Sequence, residues 1–227
     1  MTERLLLVRH GVTTWNREGR FQGHLDPPLD PIGLEQARLL GARLAAEEHG
    51  PLRIVSSPLT RASATAELLA DALARIARGI EVETHAGLME IGQGDWSGRT
   101  HSEIERDDAE HYAAWRAGGG QVTPPGGETL EAATNRIVAA LEEFTPEGAT
   151  AVCLVSHGGI LRLAAGHLLG LPVLEAWSLD VDNASLSRLT RQAADDAWRV
   201  EAWNDTAHLV GQAGRLEDQA EGAPLAL

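Results

Sequence analysis

The stretch Arg4-Leu5-Leu6-Leu7-Val8-Arg9-His10-Gly11, "RLLLVRHG" in one-letter form, decides how the rest of the chain is read. Its apolar run is short and does not alternate with polar residues, as expected of a β-strand covered on both faces. The strand then delivers an arginine and a histidine side by side, with glycine directly after them. Such an ending is either an incidental strand terminus or the reactive edge of an anion site.

Similar short apolar runs recur at 52–56 and 150–156, with further strand candidates at 80–84, 185–191 and 198–204. Helical patterns lie between them. One starts at Asp30-Pro31, an N-cap followed by proline at the first helical position, and carries Leu34, Ala37, Leu40 and Leu44 on one face before fraying near His49. Ser57-Pro58 repeats that arrangement before "LTRASATAELLADAL". Thr100 and Glu103 form a capping box for a third helix running through Tyr112 and Trp115. A fourth spans about 128–144, and a fifth follows His157 and stops at Gly170. Strand–helix alternation predicts the α/β class: a three-layer α/β/α sandwich around a mostly parallel central sheet. The short polar link 192–197 makes the last two strands an antiparallel edge pair. A single domain over 1–205 is expected, with a flap at about 116–128 around "GGGQVTPPGG" and an acidic, flexible tail at 206–227.

Composition narrows the function. The 227 residues carry a net charge of −14, and all 19 basic residues are arginine. That balance argues against nucleic acid or an anionic membrane as partner, since both demand a basic face. No run approaches the length of a membrane span or a signal-peptide core. Cys153 is the one cysteine, which excludes an internal disulfide and fits the cytoplasm; in "TAVCLVSH" it reads as a buried apolar filler. An acidic protein that handles a small anion must concentrate its positive charge locally.

In an open α/β sheet, ligands bind outside the carboxyl ends of the strands. Three strands here end in Arg9-His10-Gly11, in Ser56-Ser57 with Arg61 on the next helix, and in Ser156-His157-Gly158-Gly159. An arginine at a helix start opposes the helix dipole unless an anion sits there. Guanidinium forks match phosphoryl oxygens bidentately, helix N-termini supply N–H donors, and imidazole is a competent nucleophile near neutral pH. Fixed arginines can take the role that Mg²⁺ plays elsewhere in phosphoryl transfer. With no HExxH and no clustered Cys/His set, neither a metal nor another cofactor is expected.

"LLLVRHGVTTWN", "SSPLTRASATAELL", "LMEIGQGDWSG" and "LVSHGG", in that order, resemble the histidine phosphatase superfamily, with its phosphoglycerate mutase-like fold. The resemblance implies that His10 is the phosphorylated nucleophile, with Arg9, Arg61 and His157 completing the phosphate pocket. It implies that Asn16 hydrogen-bonds the phosphate and that the loop holding Gln22 and Gly23 adds a contact; Gly158, lacking a Cβ, lets the backbone approach the anion closely. Glu90 matches the family's general acid; Leu88, Met89 and Ile91 give it apolar flanks. The mutase branch carries an asparagine–lysine pair after the acid motif, and "SGRTHSEIERDDAEHYAAWRAGGG" has no lysine, whereas "PPGGET" resembles the phosphatase branch. The expected activity is metal-independent hydrolysis of a small phosphorylated metabolite, by a monomer or homodimer. Phosphoglycerate mutase and a non-catalytic phospholigand binder remain as alternatives. Glu128 either contacts substrate or starts a helix. Among the other rings, His24 and Trp15 and Trp96 are expected at the entrance. His49, His85, His101, His111 and His208 are expected at the surface, and His167 packed. Trp115, Trp177, Trp198 and Trp203 are expected as packing anchors.

Overall fold

Strand β1 (Thr2–Arg9) lies inside the sheet, and Leu5, Leu6, Leu7 and Val8 are each at most 2% exposed. The computed structural model describes residues 2–48, 52–75, 80–118, 121–144, 151–192 and 197–210. Strand β1 pairs in parallel with β4 (Ala151–Ser156), from Arg4 opposite Ala151 to Arg9 opposite Ser156. Beyond β4 lie β2 (Leu52–Ser56) and β3 (Val82–Thr84), both parallel. On the other side β5 (Leu186–Gln192) runs antiparallel to β1, and β6 (Arg199–Asp205) antiparallel to β5. The order β3-β2-β4-β1-β5-β6 is the mostly parallel sheet with an antiparallel edge.

Alternation along β1 assigns the two faces. Leu5 and Leu7 point into a core with helices α6 (Leu130–Phe144) and α7 (Gly158–Leu169); Leu6 and Val8 point into one with α2 (Pro31–Glu47) and α3 (Thr60–Leu73). Each core strand therefore needs apolar residues at consecutive positions, which is why β1 and β4 read as unbroken runs. A third, aromatic cluster of Phe21, Trp96, Ile104, Tyr112 and Trp115 holds α4 (His101–Asp107) and α5 (Ala109–Ala117) on the loops before them.

Local signals hold in most places. Asp30 accepts from the Gly33 N–H and Pro31 is the first residue of α2. The Thr100/Glu103 capping box is formed, and Gly170 takes φ +64° as the left-handed cap of α7. Elsewhere the structure departs from expectation. Helix α3 begins at Thr60 behind Leu59, with no side-chain cap; the Ser57 hydroxyl oxygen accepts from the Leu59 N–H at 3.3 Å and lies 2.8 Å from His157 Nε2. The third helix is broken at Asp108, whose φ of −147° separates α4 from α5. Short helices α1 (Thr14–Arg17) and α8 (Val173–Trp177) carry too little periodic pattern to be seen in advance. Strand β3 is three residues long, and α6 starts at Leu130.

The chain stays packed beyond 205: the turn Ala207–Leu209 lies on α2, and Leu209 is buried. Residues 211–227, the bulk of the expected tail, lie outside the described residues, as does His49. His167 is exposed rather than packed, whereas His101 and His111 lean on Phe21 and Trp96, and His85 accepts from the Gly87 N–H. Cys153 is buried, and burial pushes its thiol up to about 12. Among the described residues no helix is long and apolar enough to cross a membrane.

Candidate active site

The carboxyl ends of β1, β2 and β4 converge, as parallel neighbours must. His10 follows β1 and His157 follows β4, and their ring centroids lie 5.1 Å apart. Arg9, at the end of β1, and Arg61, on the first turn of α3, are 4% and 0% exposed. Two imidazoles and two guanidiniums from three separate stretches thus surround one spot.

Hydrogen bonds orient each group. His10 Nδ1 is 2.7 Å from the Gly11 carbonyl oxygen; a carbonyl only accepts, so Nδ1 carries the proton and Nε2 keeps its lone pair. Arg9 donates through Nη1 to Val181 O at 2.6 Å. Arg61 donates to Leu25 O at 2.8 Å and to Gly23 O at 2.9 Å. His157 Nε2 lies 2.8 Å from Ser57 Oγ. Arg9 Nε, Arg61 Nε and His157 Nδ1 are buried and meet no protein partner. Buried donors are rarely left unmet, and three around one spot describe a cradle awaiting an acceptor.

The electrostatics agree. Burial, then Arg61, then Arg9 hold the His10 pKa well below that of ordinary imidazole, so its neutral form persists at neutral pH. Burial, Arg61 and His10 do the same to His157. Burial brings Arg9 and Arg61 down to about 10, still charged near neutrality. A second source of the Arg9 shift is Arg162 of α7, which is 2% exposed and donates to Leu179 O. Gly158 sits between them: a Cβ there would stand 3.4 Å from Arg9 Cζ and 3.5 Å from Arg162 Nη1.

Asn16 is fixed by its oxygen, which accepts from the Thr13 N–H at 3.0 Å and lies 3.4 Å from Asn183 Nδ2. The Thr13 hydroxyl lies between Asn16 Oδ1 and Gln22 Oε1, at 3.0 and 3.1 Å. Gly23 enters through its carbonyl, which holds Arg61. Glu90 is 2% exposed; Oε1 accepts from Ile91 N at 2.9 Å and Oε2 from Gly159 N at 3.3 Å. His24 stands exposed and donates through Nε2 to Glu90 O at 2.7 Å. Trp96, expected at the entrance, is 1% exposed in the aromatic cluster, while Trp15 is half-buried.

Glu128 neither opens the helix nor stands free. Burial opposes its ionisation, yet two Arg136 bonds and the Gly92 N–H outweigh that and hold its pKa below the usual carboxylate value. Sequence reading missed the 181–184 loop that backs His10. Asn183 Nδ2 donates to His10 O at 3.1 Å, and Ala184 N donates to the Arg9 and His10 carbonyls from a left-handed φ of +56°. Among the described residues, no group of three or more His, Cys, Asp or Glu side chains is placed to hold a metal ion.

Comparison with known proteins gives the same grouping. Residues 5–206 match the family model described as "Histidine phosphatase superfamily (branch 1)". The chain is 35% identical to the glucosyl-3-phosphoglycerate phosphatase of Mycolicibacterium vanbaalenii, covering 91% of this chain and 96% of that one. It is also 35% identical to a Yersinia pestis protein named "Probable phosphoglycerate mutase GpmB", covering 89% and 93%. A solved mycobacterial glucosyl-3-phosphoglycerate phosphatase complexed with VO3 superposes with a TM-score of 0.75 at 36% identity, covering 88% of this chain and 98% of that one.

Proposed function

The chain belongs to the histidine phosphatase superfamily, and from that premise we propose that it hydrolyses a small phosphorylated metabolite through a phosphohistidine at His10. The observation that carries this reading is the free Nε2 lone pair of His10 beside three unmet donors on Arg9, Arg61 and His157. The phosphoryl group sits in that cradle, with the Asn16 amide and the α7 N-terminus at Gly158 as further donors. His10 Nε2 attacks phosphorus and forms the N–P bond as the ester P–O bond breaks. The departing oxygen takes the bond's electron pair and a proton from the Glu90 carboxyl, leaving as the alcohol. Water then loses a proton to Glu90 while its oxygen attacks phosphorus; the N–P electrons return to Nε2 and inorganic phosphate departs. For His157 to donate through Nδ1, its Nε2 must accept from the Ser57 hydroxyl. The Leu59 N–H already donates to Ser57 Oγ at 3.3 Å, which leaves the hydroxyl proton for His157 Nε2 at 2.8 Å.

The relative's name supports a phosphoglycerate ester bearing a sugar as one substrate to test. The net charge of −14 supports a small anion met at a local cationic pit rather than nucleic acid, and the single buried thiol fits the cytoplasm. We assign one catalytic domain, monomeric or homodimeric, in which residues 121–127 of the loop border substrate. A second reading, a phosphoglycerate mutase, draws on the Yersinia relative; the lysine-free stretch after Glu90 weighs against it.

His10→Ala should lower p-nitrophenyl phosphate hydrolysis by at least about 10³-fold and abolish acid-labile ³²P on the protein. Near-wild-type turnover in that variant would refute the assignment. Conversion of 3- to 2-phosphoglycerate with bisphosphate cofactor, exceeding phosphate release, would favour the mutase.

A further inference from the structure

Arg136 lies inside α6 and makes no hydrogen bond to Arg9, His10, Arg61 or His157, acting on His157 only through its charge, yet its guanidinium is committed on every side. Nε and Nη2 grip Glu128 at 2.7 and 2.9 Å; Nη1 reaches Gly87 O and Nη2 reaches Glu90 O, each at 2.9 Å. Glu128 in turn accepts from the Gly92 N–H at 3.1 Å, and its own N–H donates to Gly92 O at 2.8 Å. His24 adds a second donor on Glu90 O. The backbone from 87 to 92 is therefore held on both sides of Glu90, by a planar fork and by a carboxylate. Neighbouring bonds tie the loop in: Asp95 N donates to Pro125 O at 2.9 Å and Gly127 N to Pro124 O at 2.8 Å.

We infer that the Arg136–Glu128 pair is a positioning device for the Glu90 proton donor, clamping the 87–92 segment so that the carboxyl meets the leaving oxygen. This deepens the phosphatase reading above and rests on it. Planar, bidentate geometry is what the clamp needs, since a point charge cannot hold a carboxylate and two carbonyls at fixed angles. Proton donation matters only when the leaving oxygen is basic, so the clamp should govern esters of alcohols and be dispensable for a nitrophenol.

The test compares kcat/KM, which reports steps up to leaving-group departure, for β-glycerophosphate and p-nitrophenyl phosphate. Arg136→Met should lose about 30-fold or more on the alkyl ester and less than about 3-fold on the aryl ester. Arg136→Lys should recover part of the alkyl activity. Glu128→Gln, which conserves volume, should show the same split and decides the matter should Arg136→Met fail to fold. Equal losses on both esters, or no loss on either, overturn the inference. Wild-type protein inert toward both esters, with no phosphate on His10, overturns the underlying phosphatase reading instead.

Discussion

His10 donates through Nδ1 to the next residue's carbonyl, and that one bond leaves the lone pair on Nε2. Burial and two guanidiniums keep the ring neutral. Imidazole ¹⁵N spectra should therefore show His10 as the Nδ1–H tautomer, unprotonated, well below about pH 6.5; a doubly protonated ring at that pH would contradict the geometry. His10, Arg9, Arg61 and His157 were legible because each sits at a strand end or first helical turn, where period and capping rules fix position. Other groups were not. Val181, Gly23 and Leu25 act through backbone carbonyls, which every residue possesses. Ser57 before Pro58 looks the same whether its hydroxyl caps a helix or faces a histidine. Arg136 reaches Glu128 across eight positions of chain, a spacing shared by many surface arginines.

Helix α7 illustrates how an element serves chemistry at one end and stability at the other. A Cβ on Gly159 would stand 2.7 Å from Glu90 Oε1 and 2.9 Å from Ile91 Cδ1. Gly159→Ala should thus displace either the first turn or the carboxyl, lowering kcat/KM by about 10-fold or more, a loss expected of sub-ångström misplacement. Kinetics near wild type, with Glu90 unmoved in a crystal structure of the variant, would show the turn to be compliant. Strands and the longer helices were visible as elements because burial on two faces or one leaves a period in the sequence. The break at Asp108 and the ring of Trp96 were not: a kink within a polar helix and the side to which a glycine-flanked tryptophan falls are decided by the aromatic cluster they join.

For the whole molecule, two histidines buried neutral make stability depend on acidity. Their folded pKa values lie below the unfolded one, so the unfolded chain binds more protons beneath about pH 6.5, and stability falls as pH drops. The slope contributed should reach about 1.4 kcal/mol per pH unit for each histidine. Urea midpoints between neutral and mildly acidic pH measure it, and His157→Gln should remove one proton's worth of slope; an unchanged slope would mean the ring is protonated in the folded state. The strand order carries one more consequence. Strand β1 has β4 and β5 as its neighbours, which occupy 151–156 and 186–192. During synthesis His10 leaves the ribosome well before β4 and β5, which flank its strand, are translated. A nascent chain halted before the fourth strand holds every ingredient on the N-terminal side and no enzyme.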